Sequence, residues 1–395
     1  MGPRCALLLV FSINTSCRTP PETGSAPTQS TQSPLDSATA ELARRRAAVH
    51  DILESYRLQS GFPGAIAGAR LSDGSSFAVA CGLADRETVV PMKDSDRMHA
   101  GSAGKTFFAA LAMQLVAESK VRLDDPIARY LDREPWFAEL PNHDMITVRM
   151  LMNHTSGLPQ YPQAFMVNLA KDPARPRNPV DGIRSICNHE PLFAAGSGWS
   201  YSDLNYVVLA ALEEDVLGQP VYEAIRSRLL GPLELENIVP ADRAAIPGLV
   251  PGYAGEDNPF GGDRMLRDGE LVLNPRFEGG GGGFVANAED LARWMAAFCT
   301  GRAFDLKLLS EVLEAVDAPG LGGSNRYGLG VHVDDTPLGV AYGHGGYFPG
   351  YVTCMRWYPE LRIAVALQVN TSDNSKIAGD MTDVVDEIAS ALSER

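Results

Sequence analysis

Ser102-Ala103-Gly104-Lys105, directly ahead of the apolar run Thr106-Phe107-Phe108-Ala109-Ala110-Leu111-Ala112-Met113, is the stretch from which the rest of the chain is read. On a helix, positions i and i+3 are neighbours on one face, so this hydroxyl and this amine can touch. A serine hydroxyl is a poor nucleophile until a nearby base takes its proton. A lysine held close and partly desolvated can be that base. The helix start contributes free N–H groups and a positive dipole end, which favour the negative charge that develops in acyl transfer.

The four residues alone are weak evidence. The chain has six lysines; with Ser at about 7% of residues, about 0.4 Ser-x-x-Lys pairs arise by accident. A helix-capping serine followed by a solvated lysine is the bland alternative. Gly101-Ser102-Ala103-Gly104-Lys105-Thr106 also imitates the end of a phosphate-binding loop. That loop needs a glycine where His99 stands and a buried strand where the polar segment 91–98 stands, so a nucleotide site is set aside. The weight falls on partners elsewhere in the sequence.

A chain of 395 residues can bury a large core. A net charge of -15 with no basic stripe excludes a nucleic-acid backbone as partner. Cys81, Cys187, Cys299 and Cys354 are far apart and contain no Cys-x-x-Cys pair, which excludes a zinc ribbon or redox motif. They read as free thiols packed as small hydrophobes, with a disulfide left open. No His or carboxylate spacing suggests a metal.

Arg4 precedes the short apolar run 6–13 and then Asn14-Thr15-Ser16-Cys17. The run is too short to span a bilayer and reads as an export signal over 1–17. A Thr-, Pro-, Ser- and Gln-rich stretch over 18–37 reads as a flexible linker, leaving 38–395 as the folded domain. The leader is similar to a bacterial lipoprotein signal, with Cys17 the residue that would carry the lipid, and equally to an ordinary cleaved signal peptide. Either implies the cell envelope, with membrane attachment only in the first case.

Leu42, Val49, Ile52, Leu53 and Tyr56 predict an amphipathic helix near 38–58. Segments 64–71 and 76–81 around Ser72-Asp73-Gly74-Ser75 predict a β-hairpin. The region from about 103 to 316 is mostly helical in pattern. Strand signals return at 327–333, 339–342, 352–357 and 363–367. A final helix carries Ile377, Met381, Val384, Ile388 and Leu392 on one face. The expected fold is α/β (α+β): an antiparallel sheet built from both chain ends, flanked by N- and C-terminal helices, with a large helical insertion packed against it.

Two further segments complete the pattern. Tyr201-Ser202-Asp203 precedes an apolar helical stretch, and Gly343-His344-Gly345-Gly346-Tyr347 sits between two strand signals. With Ser102 and Lys105 they resemble the serine β-lactamase and penicillin-binding-protein group, in its branch of class C β-lactamases, D-alanyl-D-alanine carboxypeptidases and esterases. Segments 146–159, Leu123-Asp124-Asp125-Pro126 and Gly280-Gly281-Gly282-Gly283-Phe284 are also similar to that branch. The likeness runs over roughly 40–392 with the landmarks in order.

The resemblance implies roles residue by residue. Ser102 is acylated, and Lys105 lowers the cost of its deprotonation. Tyr201 relays the proton between nucleophile and leaving group. His344 stands for a Lys or His on the sheet edge that orients substrate or tunes Tyr201. The backbone N–H groups of Ser102 and Tyr347 form the oxyanion hole, and Asp203, Gly345 and Gly346 meet the substrate. No metal or organic cofactor is implied. Asp203 stands where β-lactamases commonly have Asn, and His344-Gly345-Gly346 stands for Lys-Thr-Gly. Both departures remove groups that hold a β-lactam and favour a small ester, an amide or a D-amino-acid peptide.

Other polar residues take structural readings. His154 braces a loop. The glycine run 279–283 is a close backbone crossing, and Asp124 and Asp125 cap a helix. The expectation is therefore a serine hydrolase acting through an acyl-enzyme. The alternatives are a β-lactamase or carboxypeptidase, and a non-catalytic envelope binding protein of the same fold.

Overall fold

The computed structural model describes residues 34–321 and 326–393. The leader and residues 18–33 of the expected linker, Cys17 included, lie outside the described residues. By its contacts the chain divides into residues 1–41 and residues 42–395, and the larger unit carries the sheet, the insertion and the site. The first helix, α1, runs Pro34–Ser60, starting before the expected residue 38. Proline is preorganised for a first helical turn, where its missing N–H costs nothing.

Among the described residues the sheet has nine strands. In chain order they are β1 (Gly64–Arg70), β2 (Ser76–Asp85), β3 (Val90–Pro91), β4 (Val316–Asp317), β5 (Arg326–Tyr327), β6 (His332–Thr336), β7 (Gly339–Phe348), β8 (Tyr351–Tyr358) and β9 (Ile363–Val369). Their order across the sheet is β3-β2-β1-β9-β8-β7-β6-β5-β4, all antiparallel. The first hairpin therefore lies against the last strand, with Ala65 opposite Val369 and Arg70 opposite Ala364.

β9 is buried along its whole length. Its alternate residues serve two cores, Ala364 and Ala366 on one face and Val365, Leu367 and Val369 on the other. A strand covered on both faces reads as a continuous apolar run because neither face meets water. The second face is covered by Val49 and Leu53 of α1 and by Val385 and Ile388 of the last helix, Met381–Ser393. Ile377, expected on that helix, precedes it, after a 3₁₀ turn over Asn374–Lys376.

The opposite face meets the insertion. Its central helix, α2 (Lys105–Ala117), is buried at every position from Lys105 to Met113. A helix apolar all round belongs inside a core rather than on a surface. Phe107 stacks on Trp294 at 4.3 Å between ring centroids. Burying an aromatic of this size is worth about 1.5–3 kcal/mol, so Phe107→Ala would cost about 3–5 kcal/mol. The helix α3 (Asp203–Leu217) packs in the same core through Tyr206, Val208 and Leu209.

Three details differ from the sequence expectations. The segment 327–333 is two strands broken at Gly330, whose φ of +85° is a left-handed turn conformation. The insertion also holds two small sheets, one joining Met98–His99, Phe284–Ala286 and Val239–Pro240, the other Leu266–Arg267 and Glu270–Leu271. Strands of two or three residues carry too little alternation to be read. Finally, 343–347 is not a connection but the second half of β7, in register with β8 from Gly343 opposite Arg356 to Tyr347 opposite Val352. Its glycines depress strand propensity, and pairing in the sheet overrides them.

Candidate active site

Ser102 lies in a 3₁₀ turn, Gly101–Gly104, that runs into α2. In a 3₁₀ turn residues three apart eclipse one another, which aims Ser102 and Lys105 at the same point. Lys105 Nζ is 2.9 Å from Ser102 Oγ. The turn is pinned from both sides. Thr106 donates to the Ala103 carbonyl at 2.8 Å and accepts from Trp294 Nε1 at 2.7 Å. Gly101 N–H donates to His99 Nδ1 at 3.0 Å.

Gly101 has φ +53°, and a Cβ there would sit 2.4 Å from the backbone nitrogen of Tyr347. A Cβ on Gly346 would sit 1.9 Å from the Ala100 carbonyl oxygen. Glycine at both positions lets β7 lie directly along the nucleophile turn. The backbone of Ser102 and that of Tyr347 are thereby brought side by side. The Tyr347 side chain is 58% exposed, so what it offers the cleft is its main chain.

β7 is not at the sheet edge, as His344 was expected to be. Its pairing with β6 nevertheless stops at Gly343 opposite His332. Residues 344–348 therefore keep one side outside that ladder, a local edge within the sheet.

Tyr201 and Asp203 are set by the start of α3. Ser202 caps it, accepting from Leu204 N–H and donating to the Pro159 carbonyl at 2.9 Å. Asp203 occupies the first turn, where the helix dipole favours a carboxylate. Its Oδ1 is 2.5 Å from Lys105 Nζ, and its Oδ2 accepts from Gln160 Nε2 at 2.8 Å. Lys105 also donates to the Gly281 carbonyl, on the glycine run. Lys105 Nζ is 5.0 Å from the Tyr201 ring centroid.

These contacts decide charge states. Lys105 is fully buried, and burial alone would drive its pKa down. Asp203 and Tyr201 together outweigh burial and raise it, so it stays an ammonium. Its three protons point at a carboxylate, a carbonyl and the Ser102 oxygen. A lysine so committed is a fixed cation, not a proton acceptor. Burial raises the Tyr201 pKa, while the Lys105 charge and hydrogen bonding to Lys105 and Ser102 oppose that rise. The resting phenol is neutral and sits beside the cation that would stabilise its ionised form.

His344 is buried. Its Nδ1 is 2.5 Å from the Gly345 carbonyl oxygen, which fixes the proton there, and Nε2 lies 2.8 Å from the Tyr327 hydroxyl as an acceptor. Burial, then the neighbouring His332 and Lys105, push its pKa well below the usual histidine value. It therefore adds no positive charge to Tyr201, whose ring centroid is 6.4 Å away. His332 is lowered to about 4, again mainly by burial. His154 packs on Tyr201 at 4.3 Å between centroids, with Nδ1 3.0 Å from the Asn205 amide nitrogen.

The structure thus gathers Ser102, Lys105, Tyr201 and His344, with Gly345, Gly346 and Tyr347, along one groove or its wall. Asp203, expected to meet the substrate, also serves Lys105. Its carboxylate contacts Lys105 and Gln160, and a buried ammonium needs such a counter-charge within reach. Sequence reasoning missed Tyr327, which read only as a strand residue, and Gln160 and Glu278, which no spacing rule marks. The four cysteines are free, three buried and Cys187 half-buried.

The beta-lactamase family model matches residues 40–390. The chain belongs to this family. It is 28% identical over 370 residues to esterase EstB of Burkholderia gladioli, covering 84% of this chain and 91% of that protein. It is 29% identical over 282 residues to a D-aminopeptidase of Brucella anthropi, covering 71% of this chain but only 50% of that protein. Among solved structures it is similar to a D-stereospecific amidohydrolase from Streptomyces sp., at 28% identity and a TM-score of 0.73, over 86% of this chain and 97% of that one. A D-amino acid amidase from Ochrobactrum anthropi SV3, 23% identical with a TM-score of 0.77, shares the fold over 89% of this chain and 99% of that one. The beta-lactamase-family member described here is a serine hydrolase.

Proposed function

We propose that Ser102 attacks the carbonyl of a small ester or amide and carries the acyl group as a covalent intermediate. The observation that carries this is the 2.9 Å contact between Ser102 Oγ and the buried, charged Lys105 Nζ. Tyr201, once ionised to the phenolate beside the Lys105 charge, takes the Ser102 proton as the Oγ–carbon bond forms and passes it to the leaving group as the old bond breaks. Water then enters by the reverse proton path and releases the acid. The backbone N–H groups of Ser102 and Tyr347 hold the developing oxyanion. Lys105 supplies charge throughout and exchanges no proton.

Open-chain substrates are favoured over β-lactams. Asp203 has no amide donor and is already engaged, and His344-Gly345-Gly346 is neutral where a fixed cation is usual. The esterase, D-aminopeptidase and amidohydrolase names among the relatives point the same way, toward esters and D-amino-acid amides or short peptides. The test is Ser102→Ala. It abolishes hydrolysis of a p-nitrophenyl ester and the intact-mass adduct with a fluorophosphonate. Unchanged ester hydrolysis removes Ser102 from the role. Turnover of nitrocefin faster than of D-amino-acid amides favours the β-lactamase reading, and no adduct at all favours a binding protein.

The leader segment supports export to the bacterial cell envelope, with lipidation of Cys17 as the route to membrane attachment. Mass analysis of the mature N-terminus decides between a lipid-modified Cys17 and simple cleavage.

A further inference from the structure

Behind the groove a second cavity of about 920 Å³ opens. It reaches the nucleophile region through Asp203, Gly281 and Tyr347, and Tyr347 lines both spaces. Tyr201 lines the groove with Ser102 but not this cavity. The group that receives a proton from Tyr201 is the leaving group, so the leaving group occupies the groove. A carbonyl held between Ser102 and the Tyr347 main chain then extends its other substituent into the cavity.

The lining is one-sided in charge. Asp203, Glu256, Asp257, Glu278 and Asp373 contribute to it, and it has no Lys, Arg or His. Asp203 is balanced by Lys105, and Asp373 is used in capping its own turn. Glu278 forms no ion pair with a Lys or Arg among the described residues, and the Lys105 charge acts on it less strongly than burial and Asp203 do. Its Oε2 accepts from Gly283 N–H at 3.2 Å and lies 3.4 Å from His99 Nε2. His99 is fully buried and pushed down to about 3 by burial, so it is a neutral neighbour. No donor among the described residues reaches Glu278 Oε1. The Glu278 side chain is only 14% exposed.

A second, independent group is unsatisfied at the same place. The Tyr161 ring lines the cavity, and its hydroxyl is buried without any hydrogen-bond partner. Burial and the charges of Asp203 and Glu278 keep this phenol neutral, so beside the cavity stands an unspent polar group among the described residues. Phe260, Phe277 and Phe348 complete an aromatic wall. Aromatic faces and unpaired carboxyl oxygens together suit a cation attached to an apolar body.

Resting on the assignment of Ser102 above, we propose that this cavity is the acyl-group subsite and selects acyl groups that carry a primary ammonium and an apolar side chain, with Glu278 as the counter-charge. Burial, then the Asp203 charge, raises the Glu278 pKa to about 8. An ammonium beside it restores the ionised form, so each group stabilises the other's charge.

The test is a matched pair of 4-nitroanilides, those of D-phenylalanine and of 3-phenylpropionic acid, which differ by the amine. The wild-type protein is expected to prefer the amine by at least about tenfold in kcat/KM, and Glu278→Gln to reduce that ratio to below about threefold. The ratio is read, not the absolute rate. As a check that needs no variant, phenethylammonium is expected to inhibit hydrolysis of a neutral p-nitrophenyl ester at least about tenfold more tightly than 2-phenylethanol. A wild-type ratio of one or less, a ratio unchanged in folded Glu278→Gln, or equal inhibition by the two compounds overturns the proposal. Each leaves the Ser102 assignment standing, since that is tested separately by neutral-ester hydrolysis in Ser102→Ala and by the fluorophosphonate adduct.

Discussion

Lys105 Nζ lies 2.5 Å from Asp203 Oδ1, a contact that holds the ammonium in place and, in the proposed mechanism, leaves the proton transfer to Tyr201. The ammonium is anchored, and the phenol of Tyr201 is left as the group that ionises. In the wild-type protein kcat/KM should therefore climb with pH and still be climbing at about pH 9, since a tyrosine ionises near 10 or above. Asp203→Asn leaves burial unopposed by the carboxylate, so the Lys105 pKa falls. We expect a loss of about 10²-fold at neutral pH and a profile that turns over on its alkaline side as Lys105 loses its charge. A profile that keeps climbing in the variant contradicts this division of labour.

Tyr201→Phe keeps the ring against His154 and removes the hydroxyl. The expected loss is about 10²–10⁴-fold in kcat, with KM changed far less, and the alkaline climb disappears. Steady-state rates over pH 6–10 measure both. A variant with an intact climb would falsify the role given to the phenol.

Glu213 is fully buried in α3, and neither carboxyl oxygen has a well-formed hydrogen bond among the described residues. Burial, followed by the Glu214 charge, raises its pKa well above the ordinary carboxylate value. The sign follows from linkage. A carboxyl with a raised folded pKa leaves stability intact below its unfolded pKa of about 4.3, and stability drains as pH rises because only the unfolded chain ionises freely. Glu213→Leu should raise stability by about 1–2 kcal/mol at pH 8 and by much less at pH 4. Urea melts at the two values check it, and an equal effect at both rules out the ionisation argument.

Arg356 on β8 is 6% exposed in its side chain and holds Asp334 and Asp386, each at 2.7 Å. Asp386 belongs to the final helix, Met381–Ser393, so the guanidinium ties that helix to the sheet. Arg356→Met strands two buried carboxylates and should cost about 3–5 kcal/mol. Adding Asp334→Asn and Asp386→Asn should return part of it, as a thermal-unfolding series will show. Loss of the same size in the triple variant would mean that packing, not charge, dominates.

The legible parts of this chain were those with local causes. β9 showed itself by an apolar run, the final helix by its period, and Ser102 with Lys105 by a spacing that a helical turn turns into contact. Tyr201 and His344 came from a likeness of ordered landmarks, not from chemistry that their neighbours reveal. What could not be read depends on distant approach. That Asp203 faces Lys105 follows from where α2 and α3 cross in the core. That Glu278 lacks an ion-pair partner follows from a histidine far back in the chain being neutral beside it. The strand character of 343–347 was hidden because its glycines serve the close approach of the Ser102 turn.

Gly64 N–H donates to Asn370 Oδ1 at 2.8 Å, across 306 residues of sequence. During synthesis β1 waits for a partner some 300 residues further along the chain. Until then the wall that supports His344 and Tyr347 has no central strand beside it. The nucleophile turn is made early and the surface it works against is made late, so a nascent or C-terminally truncated chain should hold Ser102 without being able to use it. Such long-range closure is also slow.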